Sequence, residues 1–69
     1  MEAKDLISHP SVQRELNRFR RLGGSAEVNI NKITLYPNII PTEIAEAFAE
    51  RIRKLDKEGK LEVVVQDGA

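Results

Sequence analysis

Residues 42–65, TEIAEAFAERIRKLDKEGKLEVVV, carry the strongest folding signal in this chain. Thr42 is a residue type that caps helices well, and Gly59 suits the position after a helix. Between them, the large apolar side chains fall on one helical face: Ile44, Phe48, Ile52 and Leu55. The stretch predicts a helix from Thr42 to about Glu58, followed by a strand over Leu61–Gln66. The three consecutive valines of that strand favour burial on both faces, as in a central strand or at a subunit contact.

A second amphipathic helix is predicted from Ser11 to Leu22. Its large apolar residues recur at i, i+4 and i+7, which is one helical face: Val12, Leu16 and Phe19. Pro10 suits the first turn of this helix, where its missing N–H leaves no hydrogen bond unmade. Gly23 suits the left-handed residue just beyond the C-cap. Both ends of the helix are therefore marked in the sequence.

The two ends of the chain carry weaker signals. Residues 1–9 are expected to form an irregular lead-in or a short helical turn. Ser8 or His9 would then cap the helix that follows, and only Ser8 is a favoured capping type. His9 has no nucleophile or acid to work with, so we interpret it as a turn residue. Residues 67–69 are expected to form a frayed tail.

The middle of the chain, residues 26–36, alternates apolar and polar side chains as strands do. The alternation slips once, because two apolar residues share one parity and two share the other: Val28 and Ile30, then Ile33 and Leu35. One long strand with a bulge near Asn31-Lys32 would explain the slip. A two-residue turn at Asn31-Lys32, joining two short strands, would also explain it. Lysine is a poor second residue for such a turn, so the bulged strand is favoured.

The predicted order is helix, strand, helix, strand, which indicates a small α+β domain over residues 1–69. Both helices are expected to pack on one face of a small sheet, giving a two-layer structure. Two strands make a poor sheet by themselves. We therefore expect a homodimer that pairs equivalent strands and completes the sheet. If residues 26–36 are instead a hairpin, each chain has three strands and depends less on a partner.

The composition excludes several classes of function. With 11 basic and 11 acidic residues, the formal net charge is zero, which disfavours a protein that simply coats nucleic acid. The absence of cysteine excludes disulfides, and the single histidine disfavours a zinc site, so no metal and no cofactor are predicted. The longest apolar run, Val63–Val65, is far shorter than the ~20 residues that cross a bilayer. Glu2 and Asp5 stand where a signal peptide would be positive, so a cytoplasmic protein is expected.

Arginines of the first amphipathic helix are the main candidate binding residues. Three of them recur at i, i+4 and i+7 opposite the apolar stripe, and a fourth lies between the two faces: Arg14, Arg18 and Arg21, then Arg20. Residues 14–21 hold these four arginines against one acid, Glu15. Such a stripe can bind the carboxylates of an acidic protein or the phosphates of nucleic acid. It can also be a solvated outer face.

The segment from Tyr36 to Pro41 is the second candidate. Ile39 and Ile40 are large apolar residues in a proline-bounded loop, where a simple connection would be polar. They are expected either to cover one end of the core or to form a small docking patch. Tyr36 is the aromatic residue that the apolar stripes leave free to be exposed.

These residues do not include an acid, a base and a nucleophile that could act together, so the sequence predicts no enzyme. It predicts a small interaction or regulatory protein, acting as a homodimer. That protein would bind an acidic or mixed protein partner through the arginine helix face and the apolar loop. The alternative is a small nucleic-acid-binding protein that contacts phosphates through the arginine stripe.

Overall fold

Three helices and three strands make up the computed structural model, which describes residues 2–66. In chain order they are α1 (Ala3–Ser8), α2 (Pro10–Arg21), β1 (Ser25–Val28), β2 (Lys32–Tyr36), α3 (Thr42–Leu55) and β3 (Glu62–Val65). The α+β class predicted from the sequence is confirmed. The predicted frayed tail, residues 67–69, lies outside the described residues.

The sheet is mixed, with β2 in its centre and the strand order β1-β2-β3. β1 and β2 form an antiparallel hairpin, and β3 lies parallel to β2. The parallel pair needs a long connection, and α3 supplies it. Ile33 of β2 lies opposite Val28 on one side and Val63 on the other, which fixes the register of all three strands.

The core lies between the helices and one face of this sheet. Because alternate strand residues share a face, Ile33, Leu35 and Val63 all point toward the helices. The helices contribute the apolar side chains Val12, Leu16 and Phe19 from α2, and Ala45, Phe48, Ala49 and Ile52 from α3. Leu6, Ile40 and Leu61 complete this core. The rings of Phe19 and Phe48 meet edge to face, with centroids 5.5 Å apart, a favoured aromatic geometry.

The bulged strand favoured for residues 26–36 is wrong, because the structure has a hairpin there. The backbone N–H of Asn29 donates to the carbonyl of Lys32 at 2.8 Å, so Ile30 and Asn31 form the turn. The turn lies one residue earlier than the one considered from the sequence. Lys32 is the first residue of β2, so the objection to lysine within the turn does not apply. The apolar residues change parity between Ile30 and Ile33 because the chain reverses direction at this turn.

α3 begins and ends differently from the prediction. Pro41 is its N-cap residue, and Thr42 is its first helical residue. The helix ends at Leu55, three residues early, because the carboxylate of Asp56 draws the following backbone into a turn. That carboxylate accepts hydrogen bonds from the backbone N–H groups of Lys60 at 3.0 Å and Leu61 at 2.7 Å. The side chain of Asp56 therefore links the end of α3 to the start of β3.

The position of β3 corrects one of the two interpretations of its valines, the central strand, and leaves a subunit contact as a prediction. The valine-rich strand lies at an edge of the sheet, so it is not a central strand. Only its residue Val63 is buried, while Val64 and Val65 are half-buried. One face of β3 is covered by the core and the other is partly open.

The start of the chain is more regular than an irregular lead-in. Ala3–Ser8 is helical, and Glu2 and Asp5 form a capping box in which the Glu2 N–H donates to Asp5 Oδ2 at 3.2 Å. His9, and not Ser8, caps α2. Its Nδ1 accepts a hydrogen bond from the backbone N–H of Ser11 at 3.1 Å.

Candidate functional site

The outer side of α2 presents the predicted arginines to solvent. Arg14, Arg18, Arg20 and Arg21 are all exposed, because the opposite side of the helix is held in the core by three fully buried residues. Together, Arg14, Arg18 and Arg21 are called the arginine face below. They border a shallow groove of about 540 Å³ that is also lined by Pro10, Gln13 and Asn17.

The charge of the arginine face is not neutralised by ion pairs within the described residues. Within residues 2–66, no ion pair involves Arg14, Arg18 or Arg21, and Arg20 only makes a long 3.5 Å contact with the side chain of Asn17. Other basic residues are paired, for example Arg53 with Glu50 at 2.9 Å. The arginine face is therefore a concentration of unpaired positive charge on a protein with no net charge.

The two isoleucines predicted as loop site residues point in opposite directions. Ile40 is only 6% exposed and belongs to the core, so it does not contribute to a binding surface. Ile39 is 83% exposed. Asn38 fixes this arrangement, because it adopts a left-handed backbone (φ 56°) and its side-chain amide donates to the Gly23 carbonyl at 3.1 Å and to Ser25 Oγ at 3.0 Å. The loop is thereby held against the end of α2.

Ile39 lies directly over Gly23 at the C-terminal end of α2. A Cβ atom on Gly23 would be 2.7 Å from the Ile39 side chain, and Gly23 has a φ of +110°. A glycine is therefore required at this position both for its backbone conformation and for the close approach of Ile39. The contact places an exposed isoleucine just beyond the C-terminal end of α2.

Two further apolar residues lie at the same end of the molecule. Leu22 and Ile44 are 52% and 44% exposed. α2 and α3 run antiparallel, since Phe19 meets Phe48 and Glu15 meets Arg51. Leu22 is the C-cap of α2 and Ile44 lies in the first turn of α3, so both are at the adjoining ends of these antiparallel helices. Leu22, Ile39 and Ile44 are called the end patch below.

The exposure of Leu22 and Ile44 was not predicted from the sequence. Ile44 was assigned to the buried face of α3 because it repeats with the other large apolar residues. The buried face instead includes Ala45 and Ala49, which shifts the core side of the helix and leaves Ile44 and Leu55 partly exposed. The buried alanines are the signal that could have corrected the assignment.

Tyr36 does not join the arginine face. It alternates with the core residue Leu35 and therefore points to the opposite face of the sheet. It is half-buried, and its hydroxyl donates to Glu27 Oε1 in a long 3.5 Å contact. The structure thus brings Ile39 to the C-terminal end of the helix that carries the arginines, and places Tyr36 on the other face of the sheet.

Other kinds of site have no support in the described chain. Among residues 2–66, no three or more histidine, aspartate or glutamate side chains are grouped so that they could hold a metal ion. In the same range, no helix has the length and apolarity needed to cross a membrane. Comparison with known proteins gave no match to a family model, to a curated protein or to a solved structure.

Proposed function

We propose that this protein is a small, non-enzymatic interaction or regulatory protein that binds an acidic protein partner through the arginine face and the end patch. The observation that carries the proposal is that Arg14, Arg18 and Arg21 are exposed and form no ion pair within residues 2–66. Ile39, which is 83% exposed and contacts Gly23 just beyond the same helix, adds a large apolar side chain. A surface that combines several arginines with a large apolar residue has the composition of a protein-binding site.

Each part of the surface has a physical role in this proposal. The arginines steer an acidic partner during encounter and then form paired hydrogen bonds with its carboxylates. The end patch supplies the apolar contact that slows dissociation. Ile39 is its anchor, because Asn38 holds the loop in place, so that the loop does not have to be ordered on binding.

Nucleic-acid binding is the second candidate. The arginine face supports it, since three arginines on one helix side can contact phosphates. The aromatic residues do not, because Phe19 and Phe48 are buried and Tyr36 faces the other side of the sheet. None of the three aromatic rings is therefore available for base stacking beside the arginines. The zero net charge also favours a protein partner over a phosphate backbone.

The proposal includes a cytoplasmic location and a homodimer. If two copies share a sheet, β1 offers the more open edge. The edge of β3 is protected, because the Arg53 guanidinium donates to the carbonyl of Val63 through Nη2 at 2.6 Å and through Nε at 3.1 Å. In the part of the chain that the structure describes, no side chain binds the backbone at the outer edge of β1.

Charge reversal on α2 tests the proposed function. We expect the double variant Arg18→Glu, Arg21→Glu to lose binding to a fluorescent glutamate-rich peptide, as measured by anisotropy, because both arginines are exposed and unpaired. The matched control is Lys4→Glu, Lys57→Glu, which makes the same charge change at exposed lysines elsewhere. Equal losses in both double variants would show that binding follows overall charge and not the arginine face.

A DNA duplex in the same assay tests the alternative. The proposal predicts that the wild-type protein prefers the peptide at 150 mM salt, which is about physiological ionic strength. Tight DNA binding that weakens with a log–log salt slope of roughly one per phosphate contact would favour the nucleic-acid function instead.

A further inference from the structure

Arg51 of α3 is held in an unusually defined position for an exposed arginine. Its Nε donates to Glu15 Oε1 at 2.9 Å, which joins α3 to α2. Its guanidinium also lies over the ring of Phe48, with Cζ 4.5 Å from the ring centroid, as in a cation–π contact. Within residues 2–66, its two terminal nitrogens make no hydrogen bond, although 49% of the side chain is exposed. A free, oriented pair of donors therefore remains.

These donors lie beside a cleft between α2 and α3. The cleft has a volume of about 320 Å³ and is lined by Ser11, Arg14, Glu15, Arg51, Lys54 and Leu55. Three of these residues are cationic and one is anionic, so the cleft has an excess of positive charge. Arg14 and Lys54 form no ion pair in the described chain. The cleft is distinct from the end patch, and Arg14 is the residue that it shares with the arginine face.

We infer that this cleft binds a single carboxylate side chain of the acidic partner, with Arg51 as the residue that forms paired hydrogen bonds with it. The inference rests on the proposed function and specifies how its site recognises the partner. The guanidinium of Arg51 is already positioned by Glu15 and Phe48, so binding does not have to order it. Lys54 and Arg14 add charge from the two sides of the cleft.

Glu15 makes the cleft more suitable for a carboxylate than for a phosphate. Its side chain is only 14% exposed and occupies the Nε side of Arg51, so that one edge of the guanidinium is already used. The two terminal nitrogens of Arg51 can therefore donate to the two coplanar oxygens of a carboxylate. A phosphate monoester carries nearly two negative charges at neutral pH, so it is both attracted more strongly by the three cations and repelled more strongly by Glu15. The preference for a carboxylate therefore rests on its planar fit to the two free donors.

The distance between the cleft and the end patch adds a requirement on the partner. Leu22 follows Glu15 by seven residues and Ile44 precedes Arg51 by seven, which at the helical rise is about 10 Å in each case. An extended peptide advances about 3.3 Å per residue, so about three residues span this distance. The partner segment is therefore an extended one with an acidic residue and a large apolar residue three positions apart.

The test is an NMR titration of the full chain with the peptide SESSLS, in which glutamate and leucine have this spacing. The side-chain Nε–H signal of Arg51 is the direct readout. We expect it to shift with SESSLS, and to shift much less with SQSSLS or with inorganic phosphate at equal concentration. Equal binding of phosphate would overturn the choice of a carboxylate, and equal binding of SQSSLS would overturn the site.

Substitutions of residues that line the cleft distinguish carboxylate binding from a purely structural role of the Glu15–Arg51 ion pair. Lys54→Gln and Arg51→Lys should each weaken SESSLS binding by about fivefold, whereas the matched control Lys57→Gln should not change it. Glu15→Gln keeps an oxygen acceptor for Arg51 but removes the competing charge, so it should strengthen binding about twofold. If Glu15→Gln only lowers the melting temperature and leaves affinity unchanged, the pair is structural and the inference fails.

The outcome can also distinguish the cleft from the wider proposal. Arg18 and Arg21 lie outside the cleft. If Arg18→Glu, Arg21→Glu abolishes binding of the glutamate-rich peptide while Lys54→Gln and Arg51→Lys leave SESSLS binding unchanged, the cleft is refuted and the proposed function stands. If neither peptide binds the wild-type protein, both are refuted.

Discussion

Ile39 and Ile40 provide a matched pair of neighbours on which the packing can be tested. Ile40 is 6% exposed and Ile39 is 83% exposed, although they are the same residue type in the same loop. Replacing a buried isoleucine by alanine removes its apolar contacts and leaves a cavity, which costs about 2–5 kcal/mol of unfolding free energy. An exposed position away from special features changes it by less than about 0.5 kcal/mol. Ile40→Ala should therefore be far more destabilising than Ile39→Ala.

The size of the domain makes this difference easy to measure. A core of this size rarely supplies more than about 3–5 kcal/mol, so Ile40→Ala removes most of the stability. Each kilocalorie per mole shifts the melting temperature of a domain this small by about 4–8 °C. Thermal unfolding, followed by circular dichroism, should show a melting temperature lowered by about 10 °C or more for Ile40→Ala alone. Equal losses for the two variants would refute the assignment of one isoleucine to the core and the other to the surface.

Three other substitutions test the remaining features of the fold. Gly24→Ala should cost about 1–3 kcal/mol in urea unfolding, because a Cβ there would be 2.4 Å from the buried ring of Phe19; unchanged stability would contradict this contact. Asp56→Ala leaves two backbone N–H groups without their acceptor and should cost about 2–3 kcal/mol, with partial recovery in Asp56→Asn; a neutral result would contradict the turn. Arg53→Met exposes the carbonyl of Val63 at the sheet edge and should increase self-association in sedimentation velocity; unchanged sedimentation would show that the edge needs no guard.

The local parts of the fold could be predicted from the sequence. In α2, the spacing of Val12, Leu16 and Phe19 determines which side is buried, and Gly23 marks the end. These features depend on residues within a few turns of one another. The exposed position of the arginines follows from the same periodicity. The helical order and the α+β class could be predicted for the same reason.

The features that were missed depend on contacts between distant parts of the chain. The hairpin at Ile30 and Asn31 is fixed by strand pairing, which the alternation pattern could not distinguish from a bulge. The buried face of α3 is set by close packing that small alanines permit, and a count of large apolar residues overlooks them. The position of Ile39 depends on Asn38 reaching back to Gly23, 15 residues earlier in the chain.

The candidate site was predicted only in part for the same reason. The sequence identified the arginines and the loop, but not which charges the protein would neutralise. Glu15 lies within the arginine-rich segment and yet pairs with Arg51, 36 residues away. Within residues 2–66, that pair leaves the arginine face without an ion pair, and both of its members line the cleft. Charge pairing across two helices is a property of their packing, and no spacing in the sequence indicates it.

The most direct test of the proposed function is a map of backbone amide shifts in the ¹⁵N-labelled protein, titrated with a soluble peptide rich in glutamate and leucine. The proposed function predicts that the perturbed amides lie along α2 from Arg14 to Leu22 and extend to Ile39 and Ile44. Perturbations confined to the hairpin turn at Ile30, which is also highly exposed, or to the outer edge of β1 would contradict it.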